Sequence, residues 1–67
     1  MKNSIKVERA RNNITQAKLA EMTQVSRQTI NAIELGKYVP SALLALRLAK
    51  IFDVAVEEIF QLEEGEM

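Results

Sequence analysis

Arg27, Gln28 and Asn31 stand together in the segment SRQTINAIE, and no other side chains of this 67-residue chain are as well suited to reading a nucleobase edge. A guanidinium can set two N–H groups on guanine O6 and N7, and a Gln or Asn amide can meet adenine N6 and N7 as acceptor and donor together. At 100° per residue the three share one face of a helix, while Ile30 and Ile33 share another. That pattern points to a helix laid in the major groove of double-stranded DNA. Without its context, the same trio would equally make an ordinary solvated helix face. Ser26 and Thr29 add hydroxyls for phosphate or thymine-methyl contacts, although capping alone accounts for Ser26. Lys37 offers a point charge and Tyr38 a hydroxyl, both common phosphate partners. Tyr38 suits packing beneath the following helix equally well.

The elements that must position these residues follow from caps and breakers. Ile5 to Asn12 reads as a first helix, broken at Asn12-Asn13, where Asn tolerates turn conformations. Thr15 is an expected N-cap for a helix from Gln16 to Met22, with Ala17, Leu19 and Ala20 as its packing residues. Thr23, Gln24 and Val25 form the turn, and Ser26 caps the reader helix, which runs to about Leu35. Gly36 ends it by taking a left-handed conformation. Ser41 caps a fourth helix to Phe52, Asp53 closes it, and Val56 to Phe60 makes a short fifth. The expected fold class is all-α, a bundle of five short helices.

Composition excludes most other chemistry. The chain has no Cys and no His, so no disulfide, thiolate metal site, cysteine nucleophile or imidazole base is available. No catalytic residue, metal, cofactor or small-molecule ligand is expected, and an enzyme is the least favoured class. The longest apolar run, Ala42 to Leu46, stops at Arg47, far short of a membrane span, and the opening MKNSIKVERARNN lacks the apolar stretch of a secretory signal. A cytoplasmic protein with no membrane partner is therefore expected. Net charge is zero but unevenly spread. Residues 1–50 carry all nine Lys and Arg against three acids, whereas residues 51–67 carry six acids and no base. A chain so polarised can turn a basic face to phosphates and its acidic end away. Residues 1–62 are read as one DNA-binding and dimerisation domain and residues 63–67 as a solvated acidic tail, with no room for a separate sensing or catalytic module.

The segments ITQAKLA, VSRQTINAIE, GKYVPS, LALRLAKIFDV and VEEIF together resemble the Cro/CI (Xre-type) helix-turn-helix family of transcription regulators, over about Ile5 to Phe60. SRQTINAIE and the IFQL ending are most similar to its small stand-alone repressors, typified by the cytolysin-operon repressor of enterococci. The resemblance implies a lambda-repressor-like bundle, a homodimer, and a two-stranded antiparallel sheet from about Lys2–Ser4 and Phe60–Leu62. It also implies that Gln16 contacts phosphate and braces Gln28, and that Arg9 and Glu34 pair to join the first helix to the reader helix. Three positions depart from the family: Gln24 where Gly is frequent, Val39 where Asn is frequent, and Ala55 where a Ser or Thr cap is usual.

Apolar residues are in surplus late in the chain. Leu43, Val54, Val56, Ile59, Phe60 and Leu62 are read as a two-fold dimer interface on the fifth helix and flanking strand. The expected function is a sequence-specific, operator-binding regulator, a repressor acting as a homodimer on palindromic DNA. The alternative is an antitoxin-like protein-interaction module that also binds its own promoter, which would need a toxin-binding surface beyond the domain.

Overall fold

A computed structural model describes residues 1–66; Met67, the last residue of the expected tail, lies outside the described residues. In chain order come β1 (Lys2–Asn3), α1 (Ile5–Arg11), α2 (Gln16–Thr23), α3 (Arg27–Glu34), α4 (Ala42–Phe52), α5 (Val56–Ile59) and β2 (Phe60–Gln61). The strands pair antiparallel, with Lys2 opposite Gln61 and Asn3 opposite Phe60. The helical bundle with a small terminal sheet is thus the fold, and the element bounds shift by a residue or two from the expected ones. Among the described residues, no helix is long and apolar enough to cross a membrane.

Local chemistry starts and stops the helices. The hydroxyl of Thr15 accepts from the N–H of Lys18 at 3.0 Å, Ser26 from Thr29 at 3.0 Å, and Ser41 from Leu44 at 3.2 Å. Each satisfies a backbone donor that the first helical turn leaves free. At α5 the residue in the capping position is Ala55, and only half of a capping box remains: the Glu58 carboxylate accepts from the Ala55 N–H at 3.2 Å. Thr23 belongs to α2 instead of the turn, because its buried hydroxyl donates back to the Leu19 carbonyl at 2.8 Å. Gln24 then takes the left-handed turn conformation, φ 60°.

Every helix gives the core at least one fully buried aliphatic side chain: Ile5, Leu19, Ile30, Ile33, Leu48 and Ile59. This corrects two expectations. Ile59 is entirely enclosed and Phe60 is 9% exposed, so both serve the protomer's own core and offer no useful area to a dimer partner. Ala17 faces solvent and does not pack. Leu43 and Leu62 are exposed, and Val54 and Val56 half-buried.

The start of the chain braces α3. Asn3 Nδ2 donates to the Ile33 carbonyl at 2.7 Å, while its Oδ1 accepts from the Ile5 N–H at 3.3 Å. One side chain therefore ties β1 to the last turn of α3. The acidic tail folds back on the start of the chain, Glu63 and Glu66 lying 3.2 and 3.1 Å from the Met1 ammonium.

Candidate nucleic-acid interface

Arg27, Gln28 and Asn31 are all exposed on α3, on the side away from buried Ile30 and Ile33. With Gln16 from α2 they line a shallow cleft of about 280 Å³. Helix α2 packs closely on α3, the turn at Gln24 and Val25 bringing the first turn of one beside the outer face of the other. Residues far apart in sequence thus form one polar surface.

The surface is hydrogen-bonded before any ligand arrives. Gln16 Nε2 donates to Asn31 Oδ1 at 3.1 Å and to Glu34 Oε1 at 3.1 Å. Gln16 Oε1 accepts from Arg27 Nε at 3.4 Å. The resemblance implied that Gln16 braces Gln28, but among the described residues Gln28 takes part in no side-chain hydrogen bond, and Gln16 braces Arg27 and Asn31 instead.

Behind Gln16 lies an ion pair. Arg9 Nε donates to Glu34 Oε2 at 2.6 Å and Arg9 Nη2 to Glu34 Oε1 at 3.1 Å, a two-pronged contact between α1 and the end of α3. Arg9 Nη1 also holds the Ile14 carbonyl at 3.1 Å. The hydrogen-bonded Glu34 carboxylate holds the Arg9 guanidinium above its ordinary range, with burial opposing and direct attraction assisting. The side chain of Glu34 is 7% exposed and that of Arg9 16%, so neither charge is well solvated without the other.

The remaining candidates lie around this centre. Ser26 Oγ and Thr29 Oγ1 are 2.9 Å apart at the N-terminus of α3. At its other end Gly36 has φ 76°, and the Gly36 and Lys37 N–H groups return to the Ile33 and Ala32 carbonyls, both at 2.9 Å. This double closure needs a residue that accepts positive φ, and glycine meets it without steric cost. It projects Lys37 and Tyr38 into solvent, with the Tyr38 ring 49% exposed instead of packed under α4.

Sequence reasoning missed Asn3 as an anchor of α3 and missed the extension of the Arg9–Glu34 pair to Gln16. A lone Asn near the chain start carries no signal for the first. For the second, the shared face of Asn31 and Glu34, three residues apart on α3, was available.

Comparison with known proteins agrees with this architecture. A helix-turn-helix family model matches residues 5–59. An uncharacterized HTH-type transcriptional regulator of Methanocaldococcus jannaschii is 54% identical over 66 residues, covering 98% of this chain and 100% of the relative. Another, of Bacillus subtilis, is 53% identical over 64 residues, covering 96% and 97%. A third, of Archaeoglobus fulgidus, is 43% identical over 67 residues, covering 100% and 94%.

Proposed function

Because the chain belongs to the Cro/CI (Xre-type) helix-turn-helix family of transcription regulators, we propose that it is a repressor that binds a palindromic operator as a homodimer. The observation that carries this reading is the cluster of exposed Arg27, Gln28 and Asn31 on a capped, braced α3, joined by half-buried Gln16 of α2. In the proposed complex α3 enters the major groove and Arg27, Gln28 and Asn31 meet base edges. Gln16, through the free backbone N–H that opens α2, and Ser26, Thr29, Lys37 and Tyr38 hold phosphates on either side, fixing register without reading sequence. The acidic residues after Lys50 stay away from the duplex.

Dimerisation in this reading uses the exposed Leu43 and Leu62 and the half-buried Val54 and Val56. Two reader helices then sit one DNA turn apart, roughly 34 Å. Occupying promoter DNA is enough to repress, and no cofactor is required.

The test is selection of bound sites from a random duplex library at near-physiological salt. An enriched inverted repeat with half-sites about one helical turn apart is the expected result. Weak, salt-sensitive binding without enrichment would overturn the proposal.

A further inference from the structure

Resting on the base-reading role of α3, we propose that the Arg9–Glu34 ion pair sets the hydrogen-bonding polarity of Asn31 through Gln16, so that Asn31 joins Arg27, whose guanidinium can only donate, in facing DNA as a donor. Each half-site must then offer acceptors at those two positions, guanine O6/N7 or thymine O4 foremost; adenine N7 also accepts, but a group that only donates gains nothing from the adenine N6 amino group.

The reasoning starts from what each group can do. An ionised carboxylate only accepts hydrogen bonds, and a guanidinium only donates. Gln16 lies between one of each: Glu34 Oε1 at 3.1 Å on one side and Arg27 Nε at 3.4 Å on the other. Its amide therefore has one favourable orientation, with Nε2 toward Glu34 and Oε1 toward Arg27. The reverse orientation would set oxygen against carboxylate and amino group against guanidinium.

Orientation passes outward from there. The second N–H of Gln16 Nε2 meets Asn31 at 3.1 Å, which requires Oδ1 on that side. Turning Asn31 over would oppose two amino groups. Asn31 Oδ1 is thus directed inward, and the Nδ2 amino group is what the exposed side chain presents. Arg27, with Nε turned to Gln16, presents its two Nη groups. Gln28 remains outside the relay and keeps both polarities, so it is the one reader able to pair with adenine N6 and N7 together. Gln16 and Glu34 act here as positioning residues.

Three proteins are compared by site selection and titration: wild type, Asn31→Asp and Gln16→Ala. Asn31 is exposed, so exchanging its amino group for an oxygen leaves the fold undisturbed. In wild type, one position per half-site is expected to favour guanine or thymine. In Asn31→Asp that position should turn to a base bearing an amino group, foremost cytosine, with loss of the original preference by roughly tenfold. In Gln16→Ala the same position should gain a preference for adenine that depends on its N6 amino group, while the position read by Gln28 is unchanged.

Adenine at the Asn31-dependent position in wild type, with a tenfold loss when purine lacking the N6 amino group replaces it, would overturn the inference and leave DNA reading intact. An enriched site with no position dependent on Asn31, or with its preference unmoved in Gln16→Ala, would do the same. No enriched site for wild type would instead overturn the proposed function itself.

Discussion

Replacing Arg9 by Met is expected to lower the stability of the fold by about 3 kcal/mol. The substitution keeps most of the side-chain volume but strands the Glu34 carboxylate, which is only 7% exposed. Among the described residues, Gln16 Nε2 would be the one side-chain donor left to it, and the Ile14 carbonyl would lose its bond from Arg9. Breaking one side of a buried pair costs about 3–5 kcal/mol, and the residual exposure of Arg9, 16%, places this pair at the lower end. A domain of 67 residues has a total stability on the order of 3–10 kcal/mol, so the loss is severe. It corresponds to a fall in Tm of roughly 12–24 °C. The double variant Arg9→Met/Glu34→Leu removes both charges and should recover to within about 1 kcal/mol of wild type. It leaves Gln16 with no carboxylate to orient it, so selectivity at the Asn31 position should be lost although the fold recovers. Circular dichroism melts at matched protein concentration, paired with titration of an operator and its variants at that position, measure both quantities. A Tm loss under about 4 °C for Arg9→Met would refute the energetic reasoning. Full base selectivity in the refolded double variant would refute the orienting role.

Lys37→Ala should weaken binding to all sequences alike and reduce the salt slope by about one, whereas Gln28→Ala should change the sequence profile; titrations over a salt series distinguish them. Gln24→Gly should stabilise the fold by about 0.5–1 kcal/mol, since relief of a left-handed non-glycine residue, about 1–2 kcal/mol, exceeds the added chain entropy of about 0.4–1 kcal/mol. A melt with unchanged or lower Tm would count against it. Leu62→Asp, at a side chain 62% exposed, should leave the protomer folded but shift sedimentation toward monomer and weaken operator binding. Unchanged sedimentation would remove Leu62 from the proposed interface.

The elements were legible in the sequence where their signals are local. Thr15, Ser26 and Ser41 each sit directly before an apolar-periodic stretch, and Gly36 and Asp53 directly after one, so caps and stops declared themselves. The apolar surplus was less informative. Ile59 and Phe60 look the same in sequence whether they fill the protomer or meet a second copy; both are buried in the protomer's own core, and only the assembled fold decides this. The back-bonding of Thr23 into α2 likewise depends on the residue being buried, which its type alone does not declare.

The proposed reading surface shows the same division more sharply. That Arg27, Gln28 and Asn31 share a face follows from helical period alone, and so did their capacity for base edges. What the two amides, Gln28 and Asn31, present does not follow, because an amide carries donor and acceptor on a side chain that can turn either way. The choice at Asn31 is made by Gln16, fifteen residues earlier, and the choice at Gln16 by Glu34, eighteen residues later. Glu34 in turn is held by Arg9, twenty-five residues before it. Chemical identity can therefore be read along the chain, but polarity is a property of contacts between helices. The distinction carries a consequence for relatives of this fold. Two chains with identical reader residues on α3 should select different bases wherever the carboxylate behind Gln16 is exchanged for a group able to donate.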